Sequence, residues 1–481
     1  MNKANPSLRG AITLGTASAI DYVLQFILPI ILVRSLESVE FGQYRVLWLI
    51  TNTVMAIAPL YMPQSLFYFL PRAGTQRAFY IANVIWFVVL MAFLAALVIS
   101  PCNPIRPDIM HNMPGEDSLV PAFVSLWVGS MLIEWLANTE GRIDAQARIV
   151  VTFSLLRVVI VGLTAWMTND LLAVFISMTV LAMLRCLFIL LDTVRRYGID
   201  VLKPKKQLMR EQLTYAGPFG IAGMFYALRM QSDQWIAASI FSLQQFASFS
   251  ISLVVLPLAN LIRQAVSNAI LPAMNTCHHA GDIQGAIKIN RDANTLTAVL
   301  LFPILAFLFV FAEDVISLIY TDEYVAGVSP MRVYLLGLAG QALVVNNVLI
   351  TLAQGGFQMR LNGFILPIAI LLSFWGALTF GLMGAALGSA VTQWASHLIN
   401  IRHVSHISNI GMSHLLNWLA LSQFALAAIV AGFLAYALSS VLDFGNPFSE
   451  LIISGMVLCV VYAVAVLQTR SIRQLYVRLR H

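Results

Sequence analysis

Residues Ile149–Met167 read IVVTFSLLRVVIVGLTAWM, a single arginine inside an otherwise apolar run. A helix needs about 20 mostly apolar residues to cross the hydrocarbon core, so the stretch reads as a membrane span with Arg157 near its middle. A cation held in hydrocarbon costs roughly 2.5–3.5 kcal/mol on insertion scales and therefore faces a protein interior or an aqueous cavity. Arg185, Arg229 and Arg263 sit in comparable apolar surroundings. Together the four arginines suggest a cationic chamber inside a helical bundle, and an anionic substrate that crosses a membrane.

The rest of the composition agrees. The chain has 481 residues, of which 59% are hydrophobic and only 10% charged, with a mean hydropathy of +0.82. That balance excludes a soluble globular protein and places the chain among polytopic, all-α membrane proteins. Met1–Arg9 is short and polar, and the apolar stretch after it is too long for a cleavable signal peptide. Cys102, Cys186, Cys277 and Cys459 are scattered, without disulfide-framework or metal-ligand spacing, and read as small core hydrophobes. The net charge of +6 follows from the distribution of basic residues around the spans, so no nucleic-acid partner is expected.

Fourteen candidate spans follow, near 10–33, 45–70, 78–100, 119–138, 148–167, 170–191, 212–235, 244–272, 293–312, 330–353, 362–380, 382–401, 414–440 and 449–468. With the N-terminus inside, Lys3, Arg9, the Arg142/Arg148 loop, the basic segment 192–211 and the tail arginines Arg470, Arg473, Arg478 and Arg480 all fall on the cytoplasmic side. Only Arg34, Arg45 and Arg106 fall opposite. This is the positive-inside asymmetry, and one missed span would scramble it, so both termini are expected in the cytoplasm. The basic segment divides the chain into an N-lobe (1–195, spans one to six), a linker (196–211), a C-lobe (212–406, spans seven to twelve) and a C-terminal portion (407–481) with two additional spans and a basic tail. A faint internal repeat accompanies this division: Val39–Tyr44 is similar to Gln244–Phe249, and Leu70-Pro71 to Leu271-Pro272. Two such units share one membrane orientation, which puts a site between them. The connector from Pro101 to Ser118 is proline-rich and too short for a catalytic domain.

The acids inside spans are Asp21, Glu134 and Asp233. Asp21 shares a helical stripe with Ser18 and Gln25, and Glu134 shares one with Ser130 and Asn138 and is placed to meet an arginine of a neighbouring span. Arg229 and Asp233 are one turn apart. Two readings stand for them: a neutralising ion pair, or a role in substrate or ion handling. Asn260, Arg263, Gln264 and Ser267 line one side of span eight and favour a cavity wall. Arg157 and Arg185 have no acid within a turn on their own spans. Arg185 either lines the cavity or snorkels to the nearby interface. The cavity cations are thus Arg157, Arg263, Arg229 and Arg185, with Asp21, Asp233 and Glu134 as candidates for ion coupling or gating.

Catalytic constellations are missing from the sequence. No glycine loop with a following lysine cradles a phosphate, and His278-His279 lacks further ligands at metal spacing. Neither a catalytic residue, a metal nor a cofactor is expected, and the chain does not read as an enzyme.

Three groups of residues carry a family resemblance. Leu301-Phe302-Pro303, Phe311–Tyr320 and Pro330–Leu335 resemble the ninth-to-tenth helix region of polysaccharide flippases. Gly381–Gly388 (GLMGAALG) is similar to their Gly-x-x-Gly-Ala-Ala turn, and Glu40–Tyr44 to their Phe-Gly-x-Tyr signature. In order and placement they resemble the polysaccharide transporter family of the multidrug/oligosaccharidyl-lipid/polysaccharide exporter superfamily. The resemblance implies two six-helix lobes in a V-shaped flippase fold, alternating access, and undecaprenyl-pyrophosphate-linked oligosaccharide (an O-antigen or exopolysaccharide repeat unit) as substrate at the bacterial inner membrane. Membrane lipids, and polysaccharide polymerase or chain-length machinery, are the partners it implies. Three alternatives remain. A multidrug cation antiporter of the superfamily would favour an acid-rich cavity, a lipid II flippase would share the span count and cationic lumen, and a membrane-embedded glycan polymerase or ligase would carry its chemistry on a large outer loop.

Overall fold

The computed structural model describes residues 6–101, 103, 108–110, 113–441 and 446–469. Lys3, Cys102, Pro104, Arg106, Pro107 and the tail residues Arg470, Arg473, Arg478 and Arg480 lie outside the described residues. Among those described, the chain is helical and contains no strand. It separates into two compact units, 1–247 and 248–481.

The first unit holds α1 (Pro6–Ser35), α2 (Ser38–Ile57), α3 (Met62–Phe69), α4 (Arg77–Ile99), α5 (Leu119–Gly129), the short α6 (Leu136–Thr139), α7 (Ile143–Thr168), α8 (Leu171–Tyr197), α9 (Lys206–Ile240) and the start of α10 (Leu243–Ser252). α2 opens on a capping box between Glu37 and Glu40. The capping satisfies backbone N–H groups that the first helical turn leaves without partners. Gly42 then lies so close to the Leu243 carbonyl that a Cβ there would overlap it.

Contacts between helices fix their direction. Gly10 meets Ile143, Asp21 meets Ser154 and Gly162 meets Ile31, so α1 and α7 run parallel. Thr53 bonds Gln231 and Trp235, Leu60 abuts Gly220, and Ser65 accepts from Gln212, so α9 runs antiparallel to α2 and α3. These directions agree with numbering the spans one, five, two and seven.

Between α2 and α3 the chain bends by 41°, through Leu60 (φ 44°) and Tyr61 (φ 65°). Left-handed backbone at a residue other than glycine costs of order 1–3 kcal/mol and persists only where the surroundings enforce it. Gly220 supplies that constraint, since a Cβ there would stand 2.6 Å from the Leu60 carbonyl carbon.

The basic segment after α8 is strapped to α4. The Trp86 Nε1–H donates to the Leu202 carbonyl at 2.8 Å, the Lys205 N–H to Asn83 Oδ1 at 2.8 Å, and Asn83 Nδ2 to Gln212 Oε1 at 3.1 Å. These bonds tie α9 to the first unit, so the division by contacts falls one helix after the basic segment. Nearby, Glu140 joins Arg142 (2.6 Å), Arg196 and Tyr197, and Asp192 joins Arg196.

The second unit holds α11 (Val255–His279), α12 (Ile283–Val310), α13 (Ala312–Ile319), α14 (Val328–Ala339), α15 (Asn346–Thr351), α16 (Gly355–Ser408), α17 (Met412–Leu415), α18 (Trp418–Val441) and α19 (Pro447–Leu467). α16 is a hairpin of two helices. Gly381 takes a left-handed φ of 61° at its tip, Gly376 and Gly384 meet backbone to backbone, and Gln358 Nε2 donates to Asn400 Oδ1 at 2.9 Å across its far end. The glycines let the two arms approach more closely than any side chain would allow. α18 presents a buried row of Ala420, Phe424, Ala428, Ala431 and Ala435 and packs on α12, with Gly432 against Val310 and Ala306. α18 and α19 thus share one hydrophobic core with α12.

Ten helical segments among the described residues are long and apolar enough to cross a membrane, and the bent α2–α3 pair makes eleven. α16 contains two of the fourteen spans expected from the sequence. Of the remaining two, α9 is made too polar by Arg229, Gln231, Asp233 and Gln234, and 328–351 is broken into two short helices by the 3-10 turn Gly340–Leu343. The molecule is an all-α, multi-pass membrane protein.

Candidate functional site

Five helices and one 3-10 turn of the first unit build a connected chain of charges and rings. Asp21 projects from α1, Trp48 from α2, Trp127 from α5, Arg157 from α7 and Arg185 from α8. Glu134 lies on the 3-10 turn Met131–Glu134 that follows α5.

Arg185 turns inward and does not snorkel. It is buried, its Nη2 lies 2.9 Å from Glu134 Oε1, its Nε donates to Ser130 Oγ at 3.1 Å, and its Cζ stands 4.1 Å over the Trp127 ring. Close contact of α5 and α8 allows this: Cys186 Sγ lies 3.0 Å from the Leu126 carbonyl and would be 3.7 Å from a Cβ on Gly129. Ser130 spends its own proton on the Trp127 carbonyl (2.8 Å), which leaves its oxygen free to accept from Arg185.

Arg157 is held less firmly. Its Nη2 is 3.9 Å from Asp21 Oδ1, and its Cζ is 5.8 Å from the Trp48 ring centre. Its Nε is buried and, among the described residues, has no hydrogen-bond acceptor. Asp21 is meanwhile engaged by Ser154 Oγ and by Gln25 Nε2 at 2.7 Å. Trp48 and Trp127 meet edge to face at 5.1 Å and so link the two arginines through a pair of rings. A guanidinium over an indole gains about 0.5–2 kcal/mol, more where water is excluded.

Arg229 and Asp233 are buried on α9, and Arg229 lies 5.6 Å from the Tyr226 ring. The Asp233 carboxylate accepts from the Gln234 N–H at 2.8 Å. Arg263 belongs to the second unit. It is half-buried on α11 beside exposed Asn260 and Gln264, while Ser267 accepts from Asn347 Nδ2 at 3.1 Å.

The structure therefore brings together Arg157, Arg185, Asp21 and Glu134, with Arg229 and Asp233 on a separate helix of the same unit. Trp48, Trp127 and Ser154 were not singled out by sequence reasoning. Trp127 carried a usable signal, because it extends the Ser130–Glu134 stripe at a spacing of i, i+3 and i+7. Trp48 and Ser154 carried none. A firmly paired arginine, a loosely paired one and two rings carry the donors and positive charge that an anion would need, and the second arginine has room to exchange partners.

Among the described residues, no group of three or more His, Cys, Asp or Glu side chains is arranged to hold a metal ion.

The chain is similar to several known proteins. Among curated proteins, a probable low-salt glycan biosynthesis flippase of Haloferax volcanii is 20% identical over 223 residues. The alignment takes in 46% of this chain and spans about half (46%) of that relative's length. Among solved structures, the lipid II flippase MurJ in an inward closed conformation superposes with a TM-score of 0.72 at 13% identity, covering 94% of this chain and 98% of that one. A MOP superfamily transporter from Pyrococcus furiosus gives a TM-score of 0.58 at 11% identity over 86% of this chain and 97% of the other. These likenesses show a shared transporter fold. The family described as polysaccharide biosynthesis protein matches residues 7–278, more than half of the chain, and the protein belongs to that family.

Proposed function

We propose that the protein is a flippase, not an enzyme, which moves undecaprenyl-pyrophosphate-linked oligosaccharide, an O-antigen or exopolysaccharide repeat unit, across the bacterial inner membrane. Family membership and the glycan flippase relative support a lipid-linked glycan as cargo. The observation that carries the reading further is Arg157, a guanidinium inside a span with a long ion pair and a buried Nε that lacks an acceptor.

A pyrophosphate offers paired oxygens that a guanidinium fork bonds bidentately, and arginine keeps its charge at any physiological pH. In this mechanism the pyrophosphate displaces Asp21 from Arg157, while Arg185 stays locked to Glu134 and holds the positive potential in place. Arg229 in the first unit and Arg263 in the second are further cations for the cargo, and the polyprenyl tail remains in lipid. The freed Asp21, with Glu134 and Asp233, provides carboxylates for ion coupling or for re-forming ion pairs once the head group has left, which is the basis of alternating access here. The distribution of basic residues supports cytoplasmic termini in this reading. Polymerase and chain-length machinery would take the product on the far side.

The test is restoration of surface glycan in a strain lacking its own flippase. Losing a charged hydrogen-bond partner removes about 1.5–3 kcal/mol, so Arg157→Ala is expected to lower transport by roughly 10–100-fold at normal expression, and Arg157→Lys to recover part of it. Full restoration by well-expressed Arg157→Ala would overturn the reading.

A further inference from the structure

Most exposed helix faces in the second unit are what lipid requires. α18 shows Leu419, Leu426, Ile429 and Phe433 to the outside, and α19 shows Met456, Val460 and Val464. α11 does not. Its exposed side carries Asn260, Gln264 and Asn268 at i, i+4 and i+8, interspersed with Ala265, Ala269 and Pro272. Leu258 is the one large apolar side chain exposed on α11. Yet α11 lies in a segment, Leu243–His279, that is long and apolar enough to cross a membrane.

Other polar groups of the same helix are satisfied: half-buried Ser267 accepts from Asn347, and exposed Asn275 accepts from Thr351 Oγ1 at 3.3 Å. Among the described residues, the outer amides of Asn260, Gln264 and Asn268 have no hydrogen-bond partner, although each is an obligate donor and acceptor. A face of bare amides is unstable against hydrocarbon, so this side of α11 meets water or a polar ligand.

The chemistry of the face narrows the ligand. An anion asks only for donors and a cation only for acceptors, but a sugar hydroxyl, like a side-chain amide, is both. There is no carboxylate on the exposed arc, and its one neighbouring cation is Arg263. Successive amides four residues apart are about 6 Å apart along the axis, close to the length of a pyranose ring. We infer that Asn260, Gln264 and Asn268 form a ladder that reads the neutral, polyhydroxylated glycan of the cargo, separately from the arginines that hold its pyrophosphate.

This inference rests on the flippase reading, and one binding experiment separates the two. Purified protein in lipid nanodiscs is titrated with undecaprenyl pyrophosphate and with undecaprenyl pyrophosphate bearing one N-acetylhexosamine. The wild type is expected to bind both, and the glycosylated lipid about tenfold more tightly. Asn260→Leu/Gln264→Leu/Asn268→Leu is expected to keep binding of the bare lipid and to lose the tenfold preference. It should melt within a few degrees of wild type, because the replaced amides hold nothing in the fold. A preference that survives in the triple variant, as it would if the face were lined by water or covered by a second copy of the chain, overturns the ladder and leaves the flippase reading intact. Failure of the wild type to bind either lipid overturns the flippase reading, and the ladder with it. A triple variant that does not fold also overturns the ladder, since the amides would then be structural.

Discussion

Among the described residues, the buried charged side chains all lie in residues 1–247: Arg185 meets Glu134, and Arg229 and Asp233 are buried on one helix, while the half-buried Arg157 meets Asp21. In residues 248–481 the polar groups inside apolar helices are largely neutral. Asn290 and Asn294 both donate to the Val344 carbonyl, Gln358 donates to Asn400, and α11 exposes four further amides, Asn260, Gln264, Asn268 and Asn275. The two kinds of group differ in what happens when one partner is lost. An amide without its partner keeps its neutral form and finds another bond or a water. A charge without its partner keeps the full cost of leaving water, and holds a strong potential that an oppositely charged ligand can relieve. Under the proposed function, the first unit is the part that responds to the charged head group, and the second the part that meets the sugars.

Breaking the strongest pair gives the largest expected effect. Glu134→Ala removes the acid beside Arg185, which stays buried against Trp127 and Ser130; because the Glu134 side chain is itself 40% exposed, the cost should be about 1.5–3 kcal/mol, below that of a fully buried pair, read as a drop in melting temperature in detergent. Replacing both residues with leucine should recover most of that stability, since the isolated charge is removed with its partner. If the single and double variants melt alike, the cost lies in packing and not in the charge.

The matching change in the second unit should be much milder. Asn400→Leu removes the amide bond that closes the far end of the α16 hairpin. Hydrogen bonds between helices in membrane proteins average about 0.6 kcal/mol and reach about 1.7, so the melting temperature should fall by only a few degrees. A loss equal to that of Glu134→Ala would erase the distinction between the units.

Much of the fold is legible in the sequence because the membrane leaves so few choices. Every backbone group must be satisfied within the hydrocarbon, so long apolar runs must be helices, and Gly381 between two of them must be a turn. The positions of the four arginines were legible for the same reason, as exceptions to that rule. Their partners were not. Asp21 and Ser154 are 133 residues apart, Glu134 and Arg185 are 51 apart, and which helices become neighbours is decided by small residues such as Gly129 and Gly162 whose role shows only once the helices touch. Arg229 and Asp233, one turn apart in the sequence, are both buried on α9, where the Asp233 carboxylate also accepts from the Gln234 N–H. Local spacing identifies a shared helix face, whereas partners are set by tertiary contact.

The smallest expected effect tests whether charge in the second unit is peripheral. Asp314 lies on α13, outside the apolar spans, where partial burial raises its carboxyl above the usual range; Glu313 adds to the rise, and Arg332, bonded to the Phe309 carbonyl at 3.1 Å, opposes it. A raised carboxyl means that the folded state prefers the neutral acid. Its contribution to stability is complete below the ordinary aspartate range and is lost as pH rises through the raised value. Asp314→Asn, which is always neutral, should therefore raise the melting temperature slightly at pH 7, within about 2 °C, and leave it unchanged near pH 3. Water reaches this carboxylate, so the gain must stay small. A shift at pH 7 as large as the loss in Glu134→Ala would mean that the second unit also carries a costly buried charge, and the contrast between an ionic and a neutral half would no longer hold.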